Sequence, residues 1–118
     1  MSNNRDYTLF LKDILESIDK IDAYTEKLSF EEFQDDEKTI DAVVRNFEII
    51  GEAVNNIPED IKKKYPEVEW QEAIGFRNVM IHEYFGVDTE AVWETIEKNL
   101  PILKKKITKV KNSEKSSR

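Results

Sequence analysis

With 118 residues and no cysteine, the chain is long enough for one ordinary hydrophobic core and excludes disulfides and thiolate metal sites. It contains no run of about 18 apolar residues to span a bilayer, and Met1-Ser2-Asn3-Asn4-Arg5-Asp6 carries no apolar signal core, so a soluble, cytoplasmic protein without membrane contact is expected. The net charge of −7 argues against a nucleic-acid partner, but residues 104–118 hold seven basic side chains and one acid, Glu114, a local +6 that leaves −13 on residues 1–103.

Apolar positions recur with helical period almost throughout, and only three glycines and three prolines interrupt them. Tyr7, Leu11, Ile14, Ile18, Ile21 and Leu28 form a stripe widened by Phe10, Leu15 and Tyr24, which predicts a first helix from about Arg5 to Leu28. Ser29, with Glu32 three residues on, spells a capping box for a short turn. A second long helix is expected from about Asp36 to Asn55, with Ile40, Val43, Val44, Phe47, Ile50 and Val54 facing inward. Pro58 suits the first position of a brief helix that ends before Pro66.

Trp70, Ala73, Ile74, Met80, Ile81 and Tyr84 predict a helix from about Trp70 to Tyr84, stopped by Gly86 as its C-terminal cap. A last helix begins after Asp88 or Thr89 and presents Trp93, Ile96, Leu100, Leu103, Ile107 and Val110, with a kink or restart at Pro101. No segment alternates with period two, and no internal repeat is present. The expected fold is an all-α, up-and-down bundle of four main helices plus one or two short ones, over residues 1–112. Residues 113–118 are expected to form a disordered basic tail. That tail reads either as a frayed helix end or as a local attractor of phosphate.

Chemistry concentrates in Arg77-Asn78-Val79-Met80-Ile81-His82-Glu83-Tyr84, which holds the only histidine of the chain. Arg77 falls on the apolar face, seven residues from both Trp70 and Tyr84, where a guanidinium is costly unless paired or reserved for an anion. Asn78 lies one helical turn before His82 and can orient its ring, and Gly75 permits close approach. An imidazole that moves protons and an arginine that holds phosphate oxygens suit RNA cleavage by the 2′-hydroxyl. That reaction needs an acid as well as a base, so two copies of His82 in a two-fold dimer would complete it. The plainer reading is a histidine placed against a helix dipole and an arginine paired with a buried acid.

Arg45, Glu48 and Glu52 follow i, i+3, i+7 spacing on the second helix. Either Glu48 or Glu52 steers Arg77 or His82, or the three form a solvated charge ladder. One histidine and no cysteine make a poor metal set, so no metal is expected. Tyr84 carries a phenol at the end of the stripe, the usual position of a core residue with a wet hydroxyl.

Arg77-Asn78-x3-His82-x-Tyr84 resembles the Arg-x4-His-x-Tyr motif of the HEPN superfamily, specifically its HepT-like toxins. Arg45-Asn46-Phe47-Glu48-Ile49-Ile50-Gly51-Glu52-Ala53 resembles that family's second-helix signature. Trp70 upstream and Tyr84-Phe85-Gly86-Val87-Asp88 downstream also fit, so the resemblance spans roughly residues 5–105. It implies an all-α bundle that forms a homodimer, with the Arg–His motifs of both protomers in one cleft. It further implies a metal-independent, cofactor-free RNase toxin of a type VII toxin–antitoxin pair, whose antitoxin is a minimal nucleotidyltransferase that transfers AMP from ATP to the motif tyrosine. Carried over, Arg77 and His82 are the catalytic pair, Asn78 their polar support and Tyr84 the AMP acceptor, with RNA as substrate. The acidic body keeps open a second reading, a non-catalytic HEPN module that binds nucleotide or scaffolds the transferase. A third reading is a structural helical dimer without ligand.

Overall fold

The computed structural model describes residues 7–76, 81–82 and 86–116. In chain order these form α1 (Tyr7–Thr25), α2 (Phe30–Gln34), α3 (Glu37–Asn55), α4 (Glu59–Lys64), α5 (Trp70–Ile74), β1 (Ile81–His82), β2 (Gly86–Val87), α6 (Thr89–Glu94), a π-helical turn (Thr95–Asn99) and α7 (Leu100–Ser116). The all-α bundle expected from periodicity is the fold observed.

Its frame is three long helices, because three stripes are long enough to bury. Leu11, Ile14, Ile18 and Ile21 of α1 are fully covered, against Val43, Phe47, Ile50 and Val54 of α3. Leu100, Leu103, Ile107 and Val110 are buried where α7 packs onto α1. Tyr24 departs from its expected role and is exposed; Thr25, four residues past Ile21, takes the buried position instead, and α1 ends there, three residues short of Leu28.

The helix starts follow local chemistry. Ser29 Oγ accepts the Glu32 amide at 3.1 Å while Glu32 Oε1 accepts the Ser29 amide at 2.9 Å, the reciprocal pair that starts α2. Asp36 caps α3 through Thr39, whose amide and hydroxyl both donate to it and hold its carboxyl below the usual range. Pro58 stands just ahead of α4, one place earlier than expected. The restart expected at Pro101 takes a definite form: Leu100 N–H reaches back five residues to the Thr95 carbonyl, one residue before the position that has no N–H to give.

Two expectations fail. The helix predicted over 70–84 does not reach its end, because Ile81–His82 is an extended strand paired antiparallel with Gly86–Val87. Gly86 is accordingly a strand residue and not a helix cap. The pairing sets Ile81 opposite Val87, two β-branched residues that favour a pleated surface over a helix. The boundary placed at residue 113 also moves. α7 continues to Ser116, and Glu114, 6% exposed, is part of the packed helix rather than of a disordered tail.

Candidate active site

The motif is positioned from both ends by described residues. On its N-terminal side, α3 and α5 lie so close that a β-carbon built on Gly51 would sit 3.2 Å from the Ile74 carbonyl oxygen and 3.5 Å from that of Ala73. A side chain at position 51 would press on the α5 backbone, so the glycine permits the contact. Trp70 anchors the start of α5, its ring N–H shared between the carbonyls of Lys62 at 3.1 Å and Tyr65 at 3.0 Å. Phe76, the residue before Arg77, is 3% exposed and meets Phe47 of α3 edge-to-face, centroids 5.4 Å apart at 88°.

On the C-terminal side, the His82 backbone pairs with Gly86, and Ile81 with Val87. Directly after β2, Asp88 caps α6 by accepting the Ala91 amide at 3.1 Å. The polypeptide that carries Arg77, Asn78, His82 and Tyr84 therefore leaves a ring packed on α3 and returns to a capped helix. Arg77, Asn78 and Tyr84 lie outside the described residues. His82 is described at its backbone.

Arg45 and Glu52 are exposed on α3 and Glu48 is half-buried. Their charged groups have no ion-pair partner among the described residues. Asn46, between Arg45 and Phe47 in the signature segment, has no role assigned from the sequence. It is buried, its Nδ2 donates to the Ala42 carbonyl at 2.8 Å, and its Oδ1 is the one buried side-chain acceptor among the described residues left without a donor. Its position three residues past Val43 and four before Ile50, on the apolar stripe, was the available signal.

Two cavities open beside Phe76. One, of about 270 Å³, runs between α5 and α7 and is lined by Ala73, Phe76, Ile102, Leu103 and Lys106, with Glu69 and Glu72 on the α5 side. The other, of about 430 Å³, lies between α5 and the π-helical turn and presents the amides of Gln71 and Asn99 with the Glu72 and Glu94 carboxylates. Both open at Phe76, the last described residue before the motif. Among the described residues, no group of three or more histidines and carboxylates comes together to hold a metal ion. None of the described helices is long and apolar enough to cross a membrane.

Comparison with known proteins gives a consistent result. The family model described as Ribonuclease HepT-like matches residues 14–110. The chain is 44% identical over 107 residues to a protein named probable ribonuclease HepT from Thermococcus cleftensis, covering 91% of this chain and 97% of that one. It is 46% identical over 106 residues, 90% of this chain and 88% of the other, to a protein of Methanocaldococcus jannaschii whose name makes it a candidate RNase. A candidate RNase of Caldanaerobacter subterraneus is 41% identical over 106 residues, 90% of this chain and 95% of that one. No solved structure matches the chain significantly. A match across the helices that frame the motif, together with relatives alike over nearly their whole length, means that this chain belongs to the HepT-like ribonuclease family.

Proposed function

We propose that this protein is a metal-independent endoribonuclease acting in the cytoplasm as the toxin of a toxin–antitoxin pair. Its centre is composite, with Arg77 and His82 contributed by each of two protomers to one cleft. The observation that carries the reading is family membership over residues 14–110, a span that includes the whole motif. The geometry of α3 and α5 supports it. A scaffold packed to the limit of a glycine holds the chain at Phe76, and rigid support is what a catalytic constellation needs.

The chemistry follows from the side chains. The neutral imidazole of one His82 takes the proton of the RNA 2′-hydroxyl as its oxygen attacks the adjacent phosphorus. The protonated imidazole of the second copy gives a proton to the departing 5′-oxygen as the P–O bond breaks. The products are a 2′,3′-cyclic phosphate and a free 5′-hydroxyl. Arg77 holds the non-bridging oxygens as charge accumulates on them. Asn78 orients the ring, and Glu48 or Glu52 steers the arginine or histidine from α3. Tyr84 is the site at which a partner nucleotidyltransferase places AMP, adding a bulky anion beside the phosphate-binding arginine and competing with RNA by charge and volume.

Purified protein should cleave RNA with full activity in EDTA. His82→Ala and Arg77→Ala should each lower the rate by about 10²-fold or more, the ordinary scale for an acid–base group or a charge-stabilising donor. Cleavage that survives both changes would remove the catalytic reading. After co-expression with a minimal nucleotidyltransferase of the kind proposed as partner, intact mass should rise in AMP-sized steps that vanish in Tyr84→Phe. The second reading, a non-catalytic module that binds nucleotide or scaffolds the transferase, draws on the −13 charge of residues 1–103. It predicts transferase association without RNA cleavage, and the same preparations decide between the two.

A further inference from the structure

We infer that Lys105, Lys106 and Lys109 of α7 form a phosphate track that leads single-stranded RNA to the cavity beside Phe76, and so to the motif that begins at Arg77. The inference takes its ligand from the RNase reading, but its own content is where the RNA runs.

Three observations on α7 converge. The first is which lysines are free. Lys104 is spent on Asp19 of α1, at 2.9 Å, whereas Lys105, Lys106 and Lys109 have no carboxylate partner among the described residues. The second is their placement. At 100° per residue the three fall within an arc of about 100° on one flank of the helix, with Ile102 in its middle. Ile102 and Lys106 line the cavity of about 270 Å³ whose far wall is Ala73 and Phe76, so one edge of the arc borders the motif end of α5, and Lys105 and Lys109 continue it outward from that rim. Lys105 and Lys109 are exposed and Lys106 is half-buried at the rim. The third is rigidity. α7 runs unbroken to Ser116 and is tied down at Glu114, so these charges stand on a fixed rod and not on a loose tail.

Physical chemistry assigns the ligand class. Lys105 and Lys109 are one turn apart, about 6 Å along the axis, the scale of neighbouring phosphates on one strand. Glu69 and Glu72 on the α5 wall repel phosphate and confine an anionic backbone to the α7 rim. Ile102, 51% exposed between the lysines, offers an apolar surface to a base rather than to a phosphate. The track also answers the charge problem. A body of −13 repels RNA as a whole, and a local basic flank is what lets RNA approach the site.

The test is salt-dependent binding of a short fluorescein-labelled single-stranded RNA of mixed sequence, by anisotropy, in a His82→Ala background so that nothing is cut. Each phosphate neutralised on a single strand contributes a slope of about −0.7 to log K against log salt, so Lys105→Gln/Lys106→Gln/Lys109→Gln should flatten the slope by about 2. The same triple change should weaken binding at low salt by about tenfold or more, and the triple arginine replacement should restore both. Lys20→Gln/Lys27→Gln/Lys38→Gln removes equal charge from exposed positions on α1, the loop after it and α3, and should leave the slope nearly as it was. The track is overturned by an unchanged slope in the α7 variant, by an equal loss in the control, or by RNA that does not bind the parent protein. Cleavage of the same RNA by the wild type is read separately, so failure of the nuclease reading and failure of the track give different results.

Discussion

Glu114 shows what one buried charge does in this molecule. It sits on α7 seven residues past Ile107 and four past Val110, on the stripe that packs inward. Tyr7 at the start of α1 and Tyr65 after α4 both donate hydrogen bonds to its carboxylate, and Lys64 Nζ lies 2.9 Å away. Burial pushes the carboxyl up, but the hydrogen bonds from Tyr65, Tyr7 and Lys64 together outweigh it and hold the group at about 2, against an ordinary 4.5. Glu114→Gln keeps the shape and removes the charge, and should cost about 1.5–3 kcal/mol, the range for hydrogen bonds to a charged group. The pH dependence has a definite sign. A depressed carboxyl stabilises the fold at pH values above 4.5, and that contribution is lost as pH falls toward about 2. Thermal melts should therefore show a wide gap between wild type and variant at neutral pH that closes on acidification. A gap that stays constant would mean the carboxylate contributes packing and not charge. The signal for this clasp was present in the sequence, as the lone acid of a basic segment on an apolar stripe. It is the same anomaly that singled out Arg77, and it was hidden because the segment reads as a tail.

At the scale of elements, sequence periodicity does well where burial is one-sided and long. The inward positions assigned to α3 are all buried, and so are Ile96, Leu100, Leu103, Ile107 and Val110 across the π-helical turn and α7. Periodicity fails over 70–84, because a short run of apolar residues at compatible spacing cannot distinguish a helix from a strand entering a turn. The backbone pairing of Ile81 with Val87 settles the matter, and a helical periodicity count does not weigh strand pairing. What the sequence did carry was Gly51, in the segment resembling the family's second-helix signature, and its role is now explicit at the α3–α5 contact. Gly51→Ala sets two effects against each other. Alanine favours helix by about 1 kcal/mol over glycine, while its β-carbon would meet the Ile74 carbonyl at 3.2 Å and shift α5 by a few tenths of an ångström. Overpacking costs about 1–3 kcal/mol, so the helix gain offsets only part of it and the melting temperature should fall modestly. Geometry at the motif does not share in the compensation, and small misplacements of reacting groups are costly. Cleavage should drop several-fold at temperatures where the variant is still fully folded, a combination that a purely structural glycine would not produce.

The whole molecule has a single imidazole, and that number constrains any mechanism built on it. Cleavage by the 2′-hydroxyl calls for proton removal and proton delivery in one event, and a group in one protonation state serves one of these roles. If each motif worked by itself, a dimer made of one wild-type and one His82→Ala protomer would keep about half the activity of the wild-type pair, by simple counting of intact motifs. If the two imidazoles divide the labour in one cleft, the same heterodimer lacks either its acid or its base, and the expected loss is about 10²–10⁴-fold. Two affinity tags and sequential purification isolate the mixed species, and the rate is then compared with both homodimers at equal protein. Retention of about half the activity would leave each protomer self-sufficient and assign the second proton transfer to water or to another side chain. A collapse to the level of the His82→Ala homodimer would place both proton transfers on the paired histidines. The wild type should then show a bell-shaped pH profile, and the heterodimer should lose one of its limbs.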